Sequence, residues 1–141
     1  MIRIGIDAMG GDFAPNNVIL GAIEACSYIG TDAKIFLIGD EKKITEVCRH
    51  YGIDSGNFVI VHAPETIEMG EHPVRAFLKK KQSSLVVGFN LLADGKIDVL
   101  NTGIKDGRAK DAKGIAKTTA VPGLLRVSFF GPFFGDYRIM M

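Results

Sequence analysis

The sequence predicts an α/β protein with three layers, in which helices cover both faces of a mostly parallel sheet. Two observations lead to this prediction: short apolar runs alternate with amphipathic helical patterns, and glycines stand at the ends of many of the apolar runs. Strands that alternate with helices are joined by crossover connections, which set neighbouring strands parallel to one another. The 17 glycines among the 141 residues supply the tight turns that such connections need.

The first half of the chain contains two strand–helix units. Residues 2–7 form a short run with β-branched side chains, which favours a strand, and residues 15–29 repeat apolar side chains at helical spacing. A nearly continuous apolar run over 33–38 predicts a strand that is covered on both faces. A helix is predicted over 41–50, with its apolar positions facing the core.

Two further strands are predicted before residue 103. Residues 58–61 form the third strand, and a short helix follows the loop after it. Another helix begins after a serine cap at position 83 or 84. Residues 97–100 form the fourth strand, and Asn101-Thr102-Gly103 is predicted to be the loop that leaves it.

The pattern changes after Gly103. Residues 105–117 are rich in lysine and poor in apolar side chains, so they offer little surface to cover a sheet. Residues 129–134 place four phenylalanines within six positions, without a helix or strand period. This segment is either a terminal strand on the core or a surface for a partner. We therefore divide the chain into an α/β domain over 1–103 and a divergent tail over 104–141 that can pack on the same domain.

The composition excludes several classes of protein. Seventeen Lys and Arg against 16 Asp and Glu give a net charge of +1, which lacks the basic surface of a nucleic-acid binder. No apolar run approaches the roughly 20 residues of a membrane-spanning helix. Cys26 and Cys48 are predicted to be reduced core side chains, and no metal-ligand spacing joins them to a histidine. These features predict a cytoplasmic protein without a nucleic-acid partner.

Ligands of open parallel sheets bind beyond the carboxyl ends of the strands, and the segment after the first strand carries suitable chemistry there. It runs from Asp7 to Asp12 and includes Gly10 and Gly11, whose amides can hold a phosphate together with the N-terminus of the following helix. An ordinary strand-to-helix turn is the alternative. Neither common glycine fingerprint for nucleotide phosphates is present.

The lysine run before the predicted serine cap is the second candidate. It offers ammonium groups and hydroxyls at a helix start, which suit phosphate or the acidic surface of a carrier protein. A solvated basic turn with a serine cap is the alternative. The candidate side chains here, and in the loop after the fourth strand, are Lys81, Ser83, Ser84, Asn101, Thr102 and Gly103.

Five motifs, in order, resemble the bacterial phosphate acyltransferases of phospholipid synthesis, the PlsX family. They are IGIDAMGGDFAP at 4–15, LIGD at 37–40, VHA at 61–63, KKQSS at 80–84 and NTG at 101–103. The resemblance covers about the first 103 residues. Because members of that family are more than twice as long, we expect a truncated or frame-disrupted chain whose active site is incomplete.

The resemblance implies an activity and a fold. The activity is transfer of a fatty acyl group from the thioester of an acyl carrier protein to inorganic phosphate, giving an acyl phosphate for phospholipid and fatty acid synthesis. The fold is that of the isopropylmalate dehydrogenases and phosphotransacetylases, incomplete here. No metal or redox cofactor is implied, whereas a homodimer with peripheral contact to the membrane is.

The candidate substrate-binding residues are chosen from these segments because their donors and charges are of a suitable type, and the catalytic residue stays unidentified. They are Asp7, Gly10, Gly11, Asp12, Lys81, Ser83, Ser84, Asn101, Thr102 and Gly103. The alternative function is a non-catalytic α/β module that binds an anion or serves association.

Overall fold

A computed structural model describes residues 1–11, 13–68, 71, 73–102, 115–121, 124–130 and 135–140, with side chains described up to residue 102 except at 73 and 74. The described strands form one seven-stranded sheet in the order β3-β2-β1-β4-β5-β6-β7. The strands are β1 (Ile2–Asp7), β2 (Ala33–Gly39), β3 (Val59–His62), β4 (Val99–Thr102), β5 (Ile115–Val121), β6 (Leu124–Phe130) and β7 (Gly135–Met140).

The first four strands are parallel, and the helices lie in the connections between them, as predicted. The helices are α1 (Asn16–Ile29), α2 (Glu41–His50), α3 (Pro73–Lys79) and α4 (Ser84–Ala93). β1 lies in the middle of the parallel half, with β2 on one side and β4 on the other. The chain moves outward from β1 through β2 to β3, and then returns to the far side of β1 as β4. This reversal is a topological switch point, and we call the region beyond the carboxyl ends of β1 and β4, where such sheets commonly bind ligands, the crevice.

Two separate cores confirm the three-layer arrangement. On one face of the sheet, Leu37 packs with side chains of α1 and α2, among them Ile44 and Cys48. On the other face, Ile38 packs with α4 residues such as Phe89. Neighbouring residues of β2 therefore point into different cores, which is why its sequence is apolar apart from Lys34. Cys48 is buried as predicted, and the half-buried Cys26 of α1 packs against the same core.

The fourth strand starts and ends two residues later than the sequence predicts. Asn101 and Thr102 belong to β4, so the prediction that they lie in a loop is wrong. Ile97 instead precedes the strand and is buried in the core under α4. Polar residues can end this strand because their backbones pair with β1 and β5 on its two sides, and because the Thr102 hydroxyl has a buried partner.

The tail contains three strands where the sequence analysis found no strand period. β5, β6 and β7 form an antiparallel meander, and β5 pairs with β4 on the side away from β1. Phe129 and Phe130 lie in β6, whereas Phe133, Phe134 and residues 103–114 are outside the described residues. The β-branched residues of β5 explain its structure, because they favour strands despite the neighbouring lysines.

Candidate functional site

A buried carboxylate occupies the switch point. Asp7, the last residue of β1, is only 2% exposed. Its Oδ1 accepts hydrogen bonds from the N–H groups of Met9 and Gly10, both at 3.1 Å. Its Oδ2 accepts one from the Thr102 hydroxyl at 2.7 Å. One side chain thus joins the carboxyl ends of the two strands that flank the crevice.

Burial raises the pKa of the Asp7 carboxyl above its ordinary value of 3.8. Hydrogen bonds from the hydroxyls of Ser84 and Thr102, and from the amides of Met9 and Gly10, lower this pKa and offset part of the burial effect. Within the described part of the chain, no Lys, Arg or His side chain bonds to the carboxylate. Among the described residues only neutral dipoles stabilise its charge, and burial therefore leaves the pKa of Asp7 above its ordinary value.

Gly10 allows the turn after β1 to close over this carboxylate. A Cβ at position 10 would lie 2.6 Å from Oδ2 of Asp7 and 3.0 Å from Oγ1 of Thr102, so only a hydrogen fits. Gly11 continues the turn with a φ of 116°, a conformation that favours glycine. The Gly10 amide is occupied by Asp7, which differs from the expectation that it holds a bound anion. No described residue accepts a hydrogen bond from the Gly11 amide.

The start of α4 reaches the same place. Ser83 is the N-cap, and its fully buried hydroxyl accepts a hydrogen bond of 3.2 Å from the N–H of Val86. Ser84 is the next residue, and its hydroxyl forms a hydrogen bond with the Asp7 carboxylate. The backbone of Glu65, in the loop after β3, pairs with Gln82 and Ser84. This pairing fixes the start of α4. The sequence gives no sign of it, because Glu65 and its partners Gln82 and Ser84 lie far apart in the chain.

Two of the three lysines before this cap, Lys80 and Lys81, have different surroundings. Lys80 is half-buried, and its ammonium group donates to the Thr66 carbonyl at 2.8 Å and forms an ion pair with Glu71. Lys81 is exposed and bonds to none of the residues that the structure describes. Lys80 therefore holds the preceding loop in place, whereas Lys81 is the exposed cation nearest to the cap among the described residues.

Sequence comparisons identify the family to which this arrangement belongs. The family described as Fatty acid synthesis protein matches residues 2–127, a range that includes all of β1 to β5. This chain belongs to that family. The match continues beyond Gly103, further than the five recognised motifs reach.

Several relatives that share the family carry the name phosphate acyltransferase. The one from Desulforamulus reducens is 46% identical over 101 residues, which cover 71% of this chain and 29% of the relative. The one from Dictyoglomus turgidum is 35% identical over 137 residues, covering 89% and 40%. The one from Endomicrobium trichonymphae is 39% identical over 143 residues, covering 97% and 41%. The chain thus spans about two fifths, or less, of the length of these relatives.

In this member of the family, four of the candidate residues come together, and we call them the Asp7 cluster: Asp7, Gly10, Ser84 and Thr102. Four others lie within three residues of a cluster member in the sequence: Gly11, Lys81, Ser83 and Asn101. The remaining two, Asp12 and Gly103, lie outside the described residues. The expectation that the segments after β1 and at the end of β4 meet at one sheet edge is confirmed by the Asp7–Thr102 hydrogen bond.

A surface depression of about 500 Å³ lies elsewhere, between the start of α1 and α2. Its lining includes exposed charged side chains of α2 such as Lys43, Glu46 and Arg49. We place the candidate site at the switch point instead, because buried polar groups from three elements converge there. The side chains around the depression are solvated and mostly come from one helix.

Two other kinds of feature are not found within the described ranges. No group of three or more His, Cys, Asp or Glu side chains in those ranges is arranged to hold a metal ion. None of the helices in the same ranges is long and apolar enough to cross a membrane.

Proposed function

We propose that the Asp7 cluster forms part of a phosphate acyltransferase site, at which inorganic phosphate takes the acyl group from an acyl carrier protein thioester. The observation that carries this proposal is the convergence of polar groups from β1, β4 and α4 at the topological switch point. The name shared by the relatives supports the reaction class. The acyl phosphate formed would supply phospholipid and fatty acid synthesis.

The proposed reaction balances without an oxidant or reductant. An oxygen of hydrogen phosphate bonds to the thioester carbonyl carbon, and the carbon–sulfur bond breaks. The proton of hydrogen phosphate ends on the released thiolate, so the products are an acyl phosphate and a free thiol. The protein has to align phosphate with the carbonyl group and to stabilise the oxyanion that develops there.

The residues beside the Asp7 cluster provide donors for these tasks. The Lys81 ammonium and the Gly11 amide are proposed to hold phosphate, since neither has a partner among the described residues. The Ser83 oxygen accepts from Val86, which leaves its own hydrogen available to an anion. Asn101, half-buried at the end of β4, is proposed to donate to the thioester carbonyl oxygen. Asp12 and Gly103 extend the proposed site in sequence.

The proposed protein partner is an acyl carrier protein, whose acidic surface suits an exposed lysine. We also propose a cytoplasmic location, a homodimer and peripheral contact with the membrane, as the family resemblance implies. These proposals concern the assembly and not the Asp7 cluster, so they are tested separately, by sedimentation and by binding to anionic vesicles.

Release of free thiol from an acylated carrier protein, measured with and without phosphate, tests the proposed reaction. Trapping with hydroxylamine identifies the acyl phosphate. Lys81→Ala is expected to lower kcat/KM for phosphate roughly 10- to 150-fold, because a hydrogen bond to a charged group contributes about 1.5–3 kcal/mol. Lys96→Ala is the matched control, since this exposed lysine lies between α4 and β4, at the opposite edge of the sheet.

Three results separate the proposals. Phosphate-dependent thiol release that falls with Lys81→Ala, and not with Lys96→Ala, supports the acyltransferase. A folded protein that binds phosphate without releasing thiol favours the non-catalytic anion-binding module. Equal loss of activity in both lysine variants would contradict the placement of phosphate at the switch point.

A further inference from the structure

The Asp7 carboxylate lies where the proposed function places a bound anion, so two negative charges would meet in one buried crevice. We propose that Asp7 is a positioning residue that takes up a proton when an anion binds, and thereby releases the Thr102 hydroxyl from Asp7 to the anion. This inference rests on the anion site of the proposed function. It adds a proton to the binding step and gives Asp7 a task distinct from contact with the substrate.

The hydrogen bond between Thr102 and Asp7 determines what Thr102 can offer. A threonine hydroxyl has a single hydrogen, and in this structure that hydrogen is donated to Oδ2 of Asp7 at 2.7 Å. While Asp7 is ionised, Thr102 can therefore only accept from a ligand, and the oxygens of a sulfate or a phosphate dianion are mainly acceptors. A protonated Asp7 donates its own hydrogen to the Thr102 oxygen, which frees the Thr102 hydrogen for the anion.

The surroundings of Asp7 favour this proton uptake. Its neighbours in the turn after β1, in β4 and in α4 are neutral: the amides of Met9 and Gly10 and the hydroxyls of Ser84 and Thr102. Burial already raises the pKa of the Asp7 carboxyl, and a second anion nearby disfavours its charged form further.

Among the described residues, the charged groups in the loops and at the strand ends around the crevice are Asp40, His62, Glu65, Lys80 and Lys81. In the neighbouring elements, the exposed Lys79 ends α3, and Lys117 of β5 pairs with Asn101 of β4. Asp40 caps α2, Glu65 accepts from the Gln82 amide, and Lys80 is paired with Glu71, so each already has a partner. Lys81 attracts the anion but does not bond to Asp7, so it does not remove the repulsion between the two negative charges.

Calorimetric titration of the whole chain with sodium sulfate tests the inference. Sulfate stays doubly charged throughout the working range, so any proton exchanged on binding belongs to the protein. Measurements in buffers of different ionisation enthalpy give the number of protons. We expect uptake of up to about one proton per sulfate, and up to about a tenfold loss of affinity per pH unit above the Asp7 pKa.

Variants of the two residues separate a positioning role from a merely structural one. Asp7→Asn keeps an acceptor oxygen and is expected to bind sulfate without proton uptake and without loss of affinity as the pH rises. Thr102→Ser keeps the hydroxyl and should match the wild type, whereas Thr102→Val should bind more weakly. Lys81→Ala should weaken binding as well, which places the titrated sulfate at the switch point. If Asp7 had only a structural role, Asp7→Asn would lower the free energy of unfolding without changing the number of protons taken up per sulfate.

A direct measurement covers the case in which Asp7→Asn fails to fold. The carboxyl ¹³C resonance of Asp7 in the wild-type chain should titrate at a higher pH in saturating sulfate than without it. Sulfate binding without proton uptake, an unchanged Asp7 titration, or no sulfate binding at all would each overturn the inference. Acyl phosphate formation without linked proton uptake overturns it and leaves the proposed function standing, whereas linked uptake without acyl phosphate overturns only the enzyme proposal.

Discussion

Gly10 has space for a hydrogen and for nothing larger. Gly10→Ala would place a methyl group 2.6 Å from Oδ2 of Asp7 and 3.0 Å from Oγ1 of Thr102, between two groups held together by a short hydrogen bond. We expect a loss of about 1–3 kcal/mol in the free energy of unfolding, as for other overpacked sites. Urea denaturation measures this loss.

Gly21→Ala is the matched control for this prediction. Gly21 is exposed in the middle of α1, and a Cβ there would meet nothing within 4 Å. Since alanine favours a helix more than glycine does, this change should stabilise the chain by roughly 0.5–1 kcal/mol. Equal effects of the two substitutions would contradict the close packing described at Gly10.

The residue types of the site could be predicted from the sequence, but their roles could not. Asp7, Gly10 and Thr102 were expected at one sheet edge because each follows or ends a strand. That Asp7 accepts from the Thr102 hydroxyl depends on the register that sets Ile6 opposite Asn101, whereas its bond from the Gly10 amide spans only three residues of the chain. A register between strands so far apart in the chain leaves no local pattern, so the bond between Thr102 and Asp7 could not be predicted from the sequence.

Ser83 stabilises α4, the helix that covers one face of the parallel strands. Its buried hydroxyl accepts from the N–H of Val86, so Ser83→Ala leaves that N–H without its partner. We expect a loss of about 1 kcal/mol in the free energy of unfolding, and faster hydrogen exchange at the Val86 amide. The control is Ser27→Ala, because Ser27 lies near the other end of a helix and its exposed hydroxyl bonds to the Glu24 carbonyl. A smaller loss for Ser83→Ala than for the control would contradict the capping role.

Arg3 and Asp98 connect β1 to the residue before β4. The guanidinium donates to both carboxylate oxygens, at 3.1 and 2.8 Å, and the Arg3 amide donates at 2.8 Å. The hydrogen bonds from the Arg3 side chain, followed by the one from its amide, lower the pKa of Asp98 from 3.8 to about 2. A carboxyl whose pKa is lowered on folding contributes stability above its ordinary pKa and loses it as the pH falls toward the lowered one.

The stability that Asp98 contributes is therefore expected to disappear between pH 3.8 and about 2. Arg3→Leu should raise the pKa of Asp98 toward its ordinary value and flatten the dependence of the urea midpoint on pH in this range. Arg49→Leu, at an exposed position of α2, should leave that dependence unchanged. A carboxyl ¹³C titration of Asp98 that is identical in wild type and Arg3→Leu would contradict the assignment.

The parallel strands and their helices were predictable because each has a simple hydrophobic period, whereas the antiparallel strands were missed. Lys117 lies in β5 opposite Ser128 of β6, and such polar pairs break the apolar pattern on which the prediction relied. β5 ends at Val121 and β6 begins at Leu124, so only Pro122 and Gly123 separate them. This dipeptide is typical of turns, and it was the signal from which a hairpin could have been predicted.

The order of the strands determines where the site lies, and it depends on the chain as a whole. The switch point lies between β1 and β4 because the chain leaves β1 toward β2 and returns on its other side. No local feature of the β4 sequence specifies β1 as its neighbour. The order is favoured because apolar residues on both faces of the sheet have to be covered by helices. Burial of Leu100 against α4 and of Leu37 against α1 and α2 meets that need in this order.

If the sheet separates two cores, substitutions on opposite faces should act independently. Ile38 and Ile97 share one core, where the Cδ1 atoms of both approach Gly5, and Ile19 of α1 lies in the other core. Each Ile→Val change should cost about 0.5–1.5 kcal/mol in the free energy of unfolding. The losses for Ile38→Val and Ile19→Val should add to within about 0.5 kcal/mol, whereas those for Ile38→Val and Ile97→Val should depart from additivity by more than that. Urea denaturation of the single and double variants measures the free energy of unfolding for both pairs. If Ile38 and Ile19 were coupled as strongly as Ile38 and Ile97, the three-layer arrangement would be contradicted.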